Sequence, residues 1–134
     1  MAIYWEDKLS VGVEVIDTQH KKFIELLNEL SEAITSMKTS ETIEKILDGL
    51  DQYAVYHFET EEKYFKEFHF EGAEEHIREH RNFVEKLGEI KKGYNTDRLK
   101  MSIKLVEFMT DWLINHLEMM DRKYVECFSQ HGLR

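Results

Sequence analysis

The chain contains no proline and a single cysteine, Cys127, among its 134 residues. Because proline interrupts helices and central strands, its absence is compatible with long, uninterrupted helices. One cysteine cannot form an intramolecular disulfide, and the first residues do not join a basic stretch to an apolar one as a signal peptide does. We therefore expect a cytoplasmic protein.

Long apolar runs and basic clusters are also missing. No stretch reaches the roughly 18 consecutive apolar residues that indicate a transmembrane helix. The formal net charge is −9, without a run of lysine or arginine, which argues against nucleic acid and anionic membranes as partners. Hydrophobic residues make up 42% and charged residues 34% of the chain, which is ordinary for a folded globular protein. We predict one domain over residues 1–134.

Apolar residues recur at the three- and four-residue spacing of amphipathic helices along four segments. We predict helices over about residues 18–38, 41–68, 72–92 and 97–130, with Asp17, Ser40 and Thr96 as N-caps of the first, second and fourth. Residues 1–17 lack this periodicity and are predicted to form an extended arm, anchored by Tyr4 and Trp5. Short connections favour antiparallel neighbours, so the predicted fold is all-α: an up-down-up-down antiparallel four-helix bundle with an extended N-terminal arm.

Polar residues occupy positions on the predicted inward faces where leucine would pack. In chain order they are His20, His57, Glu61, His76, His80 and His116. An unpaired buried polar group costs roughly 2 to 7 kcal/mol, so something has to compensate. Metal ions accept imidazole and carboxylate together, and bundle cores commonly collect such ligands from facing helices. The set is too large for one ion to use comfortably, which indicates a pair of metal ions.

Parts of this set also have simpler interpretations. A single inward histidine is more often a hydrogen-bonded core residue than a ligand. The sequence HIREH at 76–80 fits the H-x-x-E-H pattern of inverted zinc peptidases, but that interpretation leaves His57, Glu61 and His116 unexplained. No histidine has a glutamate three residues before it, which disfavours the Glu-x-x-His oxidases. His69, His131 and the run ETEEKYFKE apart from Glu61 are interpreted as solvated.

The combined pattern resembles the hemerythrin family. It consists of His20, then HFETE from His57 to Glu61, HIREH from His76 to His80, and HLEMMD from His116 to Asp121. The segment GVEVIDTQH and Trp5 in the arm are similar to the bacterial branch, bacteriohemerythrin. The resemblance implies two non-haem iron ions, one bound by His76, His80 and His116 and the other by His20 and His57. It further implies that Glu61, Asp121 and an oxo or hydroxo group bridge the two.

The function implied by the resemblance is reversible dioxygen binding by a binding protein, not an enzyme, for storage, transport or delivery to an oxygen-using enzyme. One position on the iron held by His20 and His57 stays open for dioxygen. Phe23, Ile24, Trp112 and Leu113 are candidate walls of its pocket, although ordinary core packing also explains them. A di-iron enzyme acting on peroxide or nitric oxide is one alternative, and an oxygen or redox sensor acting through a partner is another.

Asp121 does not follow from helical spacing. Five residues from His116 correspond to about 140° around an ideal α-helix, so a regular helix would not turn both side chains inward. We therefore predict a π-bulge or a similar distortion near residues 116–121, a kind of irregularity that is frequent at functional sites.

Overall fold

The computed structural model describes residues 3–37 and 40–134, most of which lie in four helical rods. The first three rods are α1, Glu14–Thr35, α2, Ser40–Glu67, and α3, Ala73–Tyr94. The fourth rod begins with α4, Arg98–Trp112. It continues through a π-helical segment, Leu113–Met120, a 3₁₀ turn, Asp121–Tyr124, and a final helix, α5, Val125–Gln130.

Each rod packs against two neighbours, so the four rods close into a ring. Gln19 on α1 meets Thr60 late in α2, whereas Phe23 further along α1 meets Tyr53 earlier in α2. The two helices therefore run antiparallel. The same reversed pairing relates α2 to α3 and α3 to α4. The predicted antiparallel four-helix bundle is confirmed.

The hydrophobic core is divided into two clusters along the bundle. Representative members of the larger cluster are Phe23, Phe58, Phe83 and Trp112. Representative members of the smaller cluster are Ile16, Phe65, Tyr124 and Phe128. Buried polar residues lie between the two: on α2, for example, Glu61 falls between Phe58 and Phe65. Apolar side chains therefore enclose the polar layer from both ends.

The N-terminal arm is shorter than predicted and is anchored by different residues. Helix α1 already begins at Glu14, and the arm itself contains a short 3₁₀ turn, Asp7–Leu9. Tyr4 is 77% exposed and anchors nothing, whereas Trp5 packs against the larger cluster as predicted. The principal anchors are buried aliphatic side chains that the prediction did not name: Leu9, Val11 and Val13.

Asp17 and Thr96 are not the N-caps that the sequence suggested. Val13 occupies the N-cap position of α1, and the Asp17 carboxylate instead accepts hydrogen bonds from the backbone N–H of Val11 and the hydroxyl of Ser10. Asp17 therefore ties the arm to the helix. The cap of α4 is Asp97, one residue later than predicted, whose side chain accepts from the backbone N–H of Lys100.

Two predictions concern positions outside the described part of the chain. Residue 38, the predicted end of the first helix, is not among the described residues, and the Ser40 side chain is not described.

Across residues 3–37 and 40–134, no helix is both long enough and apolar enough to cross a membrane. The apolar spacing of the fourth predicted helix places Leu99 on its inward face, but the structure shows this side chain 66% exposed.

Candidate metal centre

All seven candidate ligands are buried and meet at the middle of the bundle. His20 comes from α1, His57 and Glu61 from α2, His76 and His80 from α3, and His116 and Asp121 from the fourth rod; each is at most 1% exposed. Except for Asp121, the amphipathic spacing of the helices turns these side chains to the same inward face as the apolar residues. Every rod therefore contributes to one polar cluster.

The ligand atoms form two overlapping groups. One contains Glu61, His76, His80 and His116, and the other contains His20, His57, Glu61 and Asp121, with the atoms of each group within 4.8 Å of one another. Asp121 also reaches the first group, because its Oδ1 lies 2.9 Å from His76 Nε2 and 3.0 Å from His116 Nε2. Both carboxylates are thus positioned between the two sets of histidines.

The spacing of these atoms is compatible with metal coordination. The Nε2 atoms of His20 and His57 are 3.2 Å apart, and those of His76 and His116 are 3.1 Å apart. Adjacent ligands at right angles around an ion with bonds of about 2.1 Å would be about 3.0 Å apart. Histidine nitrogens lie 2.9 to 3.1 Å from Glu61 Oε1 and from both Asp121 carboxylate oxygens. Nevertheless, these buried oxygens accept no hydrogen bond of acceptable geometry among the described residues. Bound cations would coordinate these carboxylate oxygens and compensate their negative charge.

The π-helical segment Leu113–Met120 explains how Asp121 reaches the site. A π-helix makes hydrogen bonds from residue i to i+5, so each turn contains more residues than in an α-helix. The wider turn brings Asp121 to the same face as His116, and both side chains are buried. The predicted distortion of the fourth helix is confirmed.

Three histidines are held through their second ring nitrogen by residues that the sequence analysis did not identify. His57 Nδ1 is 2.6 Å from Gln19 Oε1, His80 Nδ1 is 2.8 Å from Glu62 Oε2, and His116 Nδ1 is 3.1 Å from Glu79 Oε1. Such contacts fix the tautomer and the ring orientation of a metal-binding histidine. The interpretation of Glu62 as part of a solvated run is wrong, because its half-buried carboxylate engages His80.

A sequence signal for these supporting residues does exist. Gln19 precedes His20, Glu62 follows Glu61, and Glu79 precedes His80. Each is adjacent in sequence to a candidate ligand but contacts a histidine on the next helix of the bundle. The signal could be used only once the order and rotation of the helices were known.

Both carboxylates favour the ionised form in spite of their burial. Burial and the nearby Asp121 charge oppose ionisation of Glu61, but His57 and other histidines outweigh them and lower its pKa below the ordinary range. Burial also opposes ionisation of Asp121, yet its contacts with His116 and other histidines hold its pKa well below the usual value. The site therefore presents two anionic carboxylates between the two sets of histidines.

The histidines respond to burial and to these carboxylates in different ways. Burial lowers the pKa of His57. At His116 burial acts in the same direction, but Asp121 and Glu79 overcome it and raise the pKa to about 9. The pKa of His80 is raised in the same way by its carboxylate contacts. Metal binding has to displace the proton that the raised pKa keeps on His116 near neutral pH.

Aromatic rings cover the histidines. Trp112 stacks on His116 with ring centroids 3.8 Å apart, and Phe58 stacks on His80 at 3.9 Å. Among the predicted pocket residues, Trp112 therefore touches the site directly. Phe23, Ile24 and Leu113 are buried in the larger hydrophobic cluster, and whether they line a dioxygen pocket stays a prediction.

The histidines interpreted as solvated, His69 and His131, are both exposed. The peptidase interpretation of HIREH gains nothing from the structure. His76 and His80 are buried with the other histidines, and Glu79 is engaged by His116.

Comparison with known proteins points to one family. A model of the hemerythrin HHE cation binding domain matches residues 11–128. The chain is 30% identical over 129 residues to a bacteriohemerythrin of Stenotrophomonas maltophilia, covering 96% of this chain and 83% of that protein. It is 28% identical over 126 residues to a bacteriohemerythrin of Clostridium acetobutylicum, covering 91% and 98%. It is also 30% identical over 120 residues to a myohemerythrin of Theromyzon tessulatum, covering 90% and 88%.

Proposed function

This chain belongs to the hemerythrin family, and on that basis we propose that it binds dioxygen reversibly at a non-haem di-iron centre. Storage, transport or delivery of oxygen would be its role, and it would act as a binding protein. The observation that supports this most is the convergence of buried imidazoles and carboxylates into two groups that share Glu61. Four rods packed around a common polar layer also support a single domain over residues 1–134.

The seven side chains divide unequally between two iron positions. His76, His80 and His116 would bind one iron, and His20 and His57 the other, with Glu61 and Asp121 as bridging carboxylates and an oxo or hydroxo group as a third bridge. The supporting distances are those between the carboxylate oxygens and the histidine nitrogens on both sides. The iron bound by only two histidines would keep one coordination position open for dioxygen.

When bound, a pair of ferrous ions supplies the electrons that dioxygen takes up and recovers them on release. The protein would orient the imidazole ligands and keep water out of the site. Gln19, Glu62 and Glu79 hold three of the imidazoles, and the Tyr124 hydroxyl donates to Glu61 Oε2 at 2.5 Å. Buried aromatic rings around the histidines would limit the access of water and protons, which would favour release over irreversible oxidation.

An optical spectrum of the iron-loaded, reduced protein tests the proposal. We expect a charge-transfer band that appears with air and disappears when oxygen is removed, with two irons per chain. His57→Ala should lose this response, whereas His131→Ala, which changes an exposed histidine, should keep it. A native protein that binds two irons but shows no oxygen-dependent band would contradict reversible binding.

Immediate and irreversible conversion to the ferric form would instead support the alternatives, a redox enzyme acting on peroxide or nitric oxide or a sensor acting through a partner. Delivery to an oxygen-using enzyme stays a prediction, which co-purification tests. A cytoplasmic location also stays a prediction, which cell fractionation tests.

A further inference from the structure

Tyr53 is buried beside the candidate centre with an unused hydrogen-bond donor. Its side chain is 6% exposed. Its ring stacks on His57, with centroids 5.1 Å apart and 17° between the planes, and packs against Phe23. The hydroxyl is buried and has no hydrogen-bond partner among the described residues. A buried donor without an acceptor is destabilising, and phenylalanine would fill the same space without that cost.

Tyr53, His57 and Glu61 follow one another at four-residue spacing on α2. The tyrosine ring therefore lies on the face of the helix that carries two of the candidate ligands. Tyr124 is also buried beside the candidate ligands, but its hydroxyl already donates to Glu61. Of these two tyrosines, Tyr53 is the one whose hydroxyl has no hydrogen-bond partner among the described residues.

Tyr53 adjoins the half of the site that offers fewer protein ligands. That half contains His20 and His57 with the shared carboxylates, whereas three histidines surround the other half. An ion held by that half would therefore have one imidazole ligand fewer than an ion held by the other half. Tyr53 also lines a groove of about 940 Å³ between α1 and α2. Tyr53 thus contacts both this groove and His57.

We propose that the Tyr53 hydroxyl donates a hydrogen bond to a small ligand, dioxygen or a small anion, that occupies the site beside His57. The inference rests on the proposed function. It adds a ligand-binding residue from α2 that the metal-ligand pattern does not include. A donor in this position stabilises a ligand that carries negative charge and slows its release, because charge-assisted hydrogen bonds are stronger than neutral ones.

Azide binding to the iron-loaded, ferric protein tests the inference. Tyr53→Phe removes the hydroxyl and keeps the ring that stacks on His57. We expect the azide affinity to fall roughly 10- to 100-fold, as for loss of a hydrogen bond to a charged group. The infrared stretch of bound azide should also shift. The matched control is Tyr56→Phe, which changes a 62% exposed tyrosine on the same groove and should alter neither quantity.

The possible results separate this inference from the function on which it rests. Unchanged azide affinity and an unchanged infrared band in Tyr53→Phe, with full iron content, overturn the inference alone. A native protein that takes up no iron pair or binds no azide overturns the proposed function and the inference together. Should Tyr53→Phe fail to retain iron, the native protein in D₂O supplies the test. The infrared band of bound azide has to move on deuteration, and a band that does not move overturns the inference.

Discussion

The residues around the histidines are arranged so that each helix supports its neighbour. Gln19 on α1 contacts His57 on α2, and Glu62 on α2 contacts His80 on α3. In the same way, Glu79 on α3 contacts His116 on the fourth rod. Each contact holds the nitrogen that faces away from the site and leaves Nε2 directed inward. These residues should therefore influence metal retention without touching the metal.

Glu62→Ala should make iron dissociate roughly 10- to 100-fold more readily, because His80 loses the carboxylate that orients its ring. Competition with a chelator measures this directly. The matched control is Glu59→Ala, which removes an exposed carboxylate three residues earlier on α2. Equal iron retention in the two variants would show that the contact between Glu62 and His80 has no such role.

The fourth rod is the least regular element of the bundle. It changes from α-helix to π-helix at Leu113 and passes through a 3₁₀ turn before Val125. The π-helical segment has less favourable backbone geometry than an α-helix. Its presence is explained by the position that it gives to Asp121, so its stability should depend on what Asp121 and His116 bind.

Amide hydrogen exchange should reveal this dependence. In the metal-free protein, we expect the amides of residues 113–124 to exchange faster than those in the middle of α1, α2 and α3, since local openings are drawn from the least stable elements. Iron loading should slow exchange in this segment more than elsewhere. Uniform protection in both forms would be the opposite of what we expect.

The arm depends on the carboxylate of Asp17, which accepts hydrogen bonds from Val11 and Ser10. Asp17→Ala should lower the free energy of unfolding by about 2 kcal/mol, because hydrogen bonds to a charged group are lost. Denaturant unfolding measures the change. Glu25→Ala serves as the control, since Glu25 pairs only at 3.8 Å with Lys22 and both side chains are more than half exposed, so it should change stability little. A loss no larger than the control's would exclude the proposed role of Asp17.

On the scale of the whole molecule, the bundle holds a layer of buried polar groups between two hydrophobic clusters. Hydrophobic burial above and below this layer stabilises the fold. Without bound metal this polar layer destabilises the folded state, because several of its nitrogens and oxygens lack hydrogen-bond partners among the described residues. Metal binding should therefore be coupled to the stability of the entire bundle.

Removal of iron should lower the melting temperature. A ligand that binds only the folded state stabilises it by about 4 kcal/mol when its free concentration is about 1,000 times its dissociation constant. Calorimetry of the iron-loaded and metal-free forms measures the difference, and re-addition of iron should restore it. His116→Ala should gain much less from iron than the native protein. A metal-free form that melts no lower than the iron form would contradict the coupling.

Much of this molecule could be predicted because helical periodicity is a local property of the chain. The spacing from Ile43 through Leu50 to His57 and Glu61 indicates one helix with a polar position on its buried face, and that holds whatever α2 packs against. The fold and the inward positions of the histidines follow in the same way. The position of Asp121 was predicted differently, from family resemblance combined with the failure of regular geometry.

Only the tertiary structure decided which polar residues outside that pattern meet the site. The contact between Gln19 and His57 depends on the relative rotation of two helices, which neither helix specifies by itself. The unpartnered hydroxyl of Tyr53 likewise appears only when every neighbour is in place. Asp17 is a further example. Its local sequence is typical of an N-cap, but its carboxylate accepts hydrogen bonds from Ser10 and Val11 in the arm. Periodicity determined the helices and their buried faces, and packing between helices decided the contacts across them.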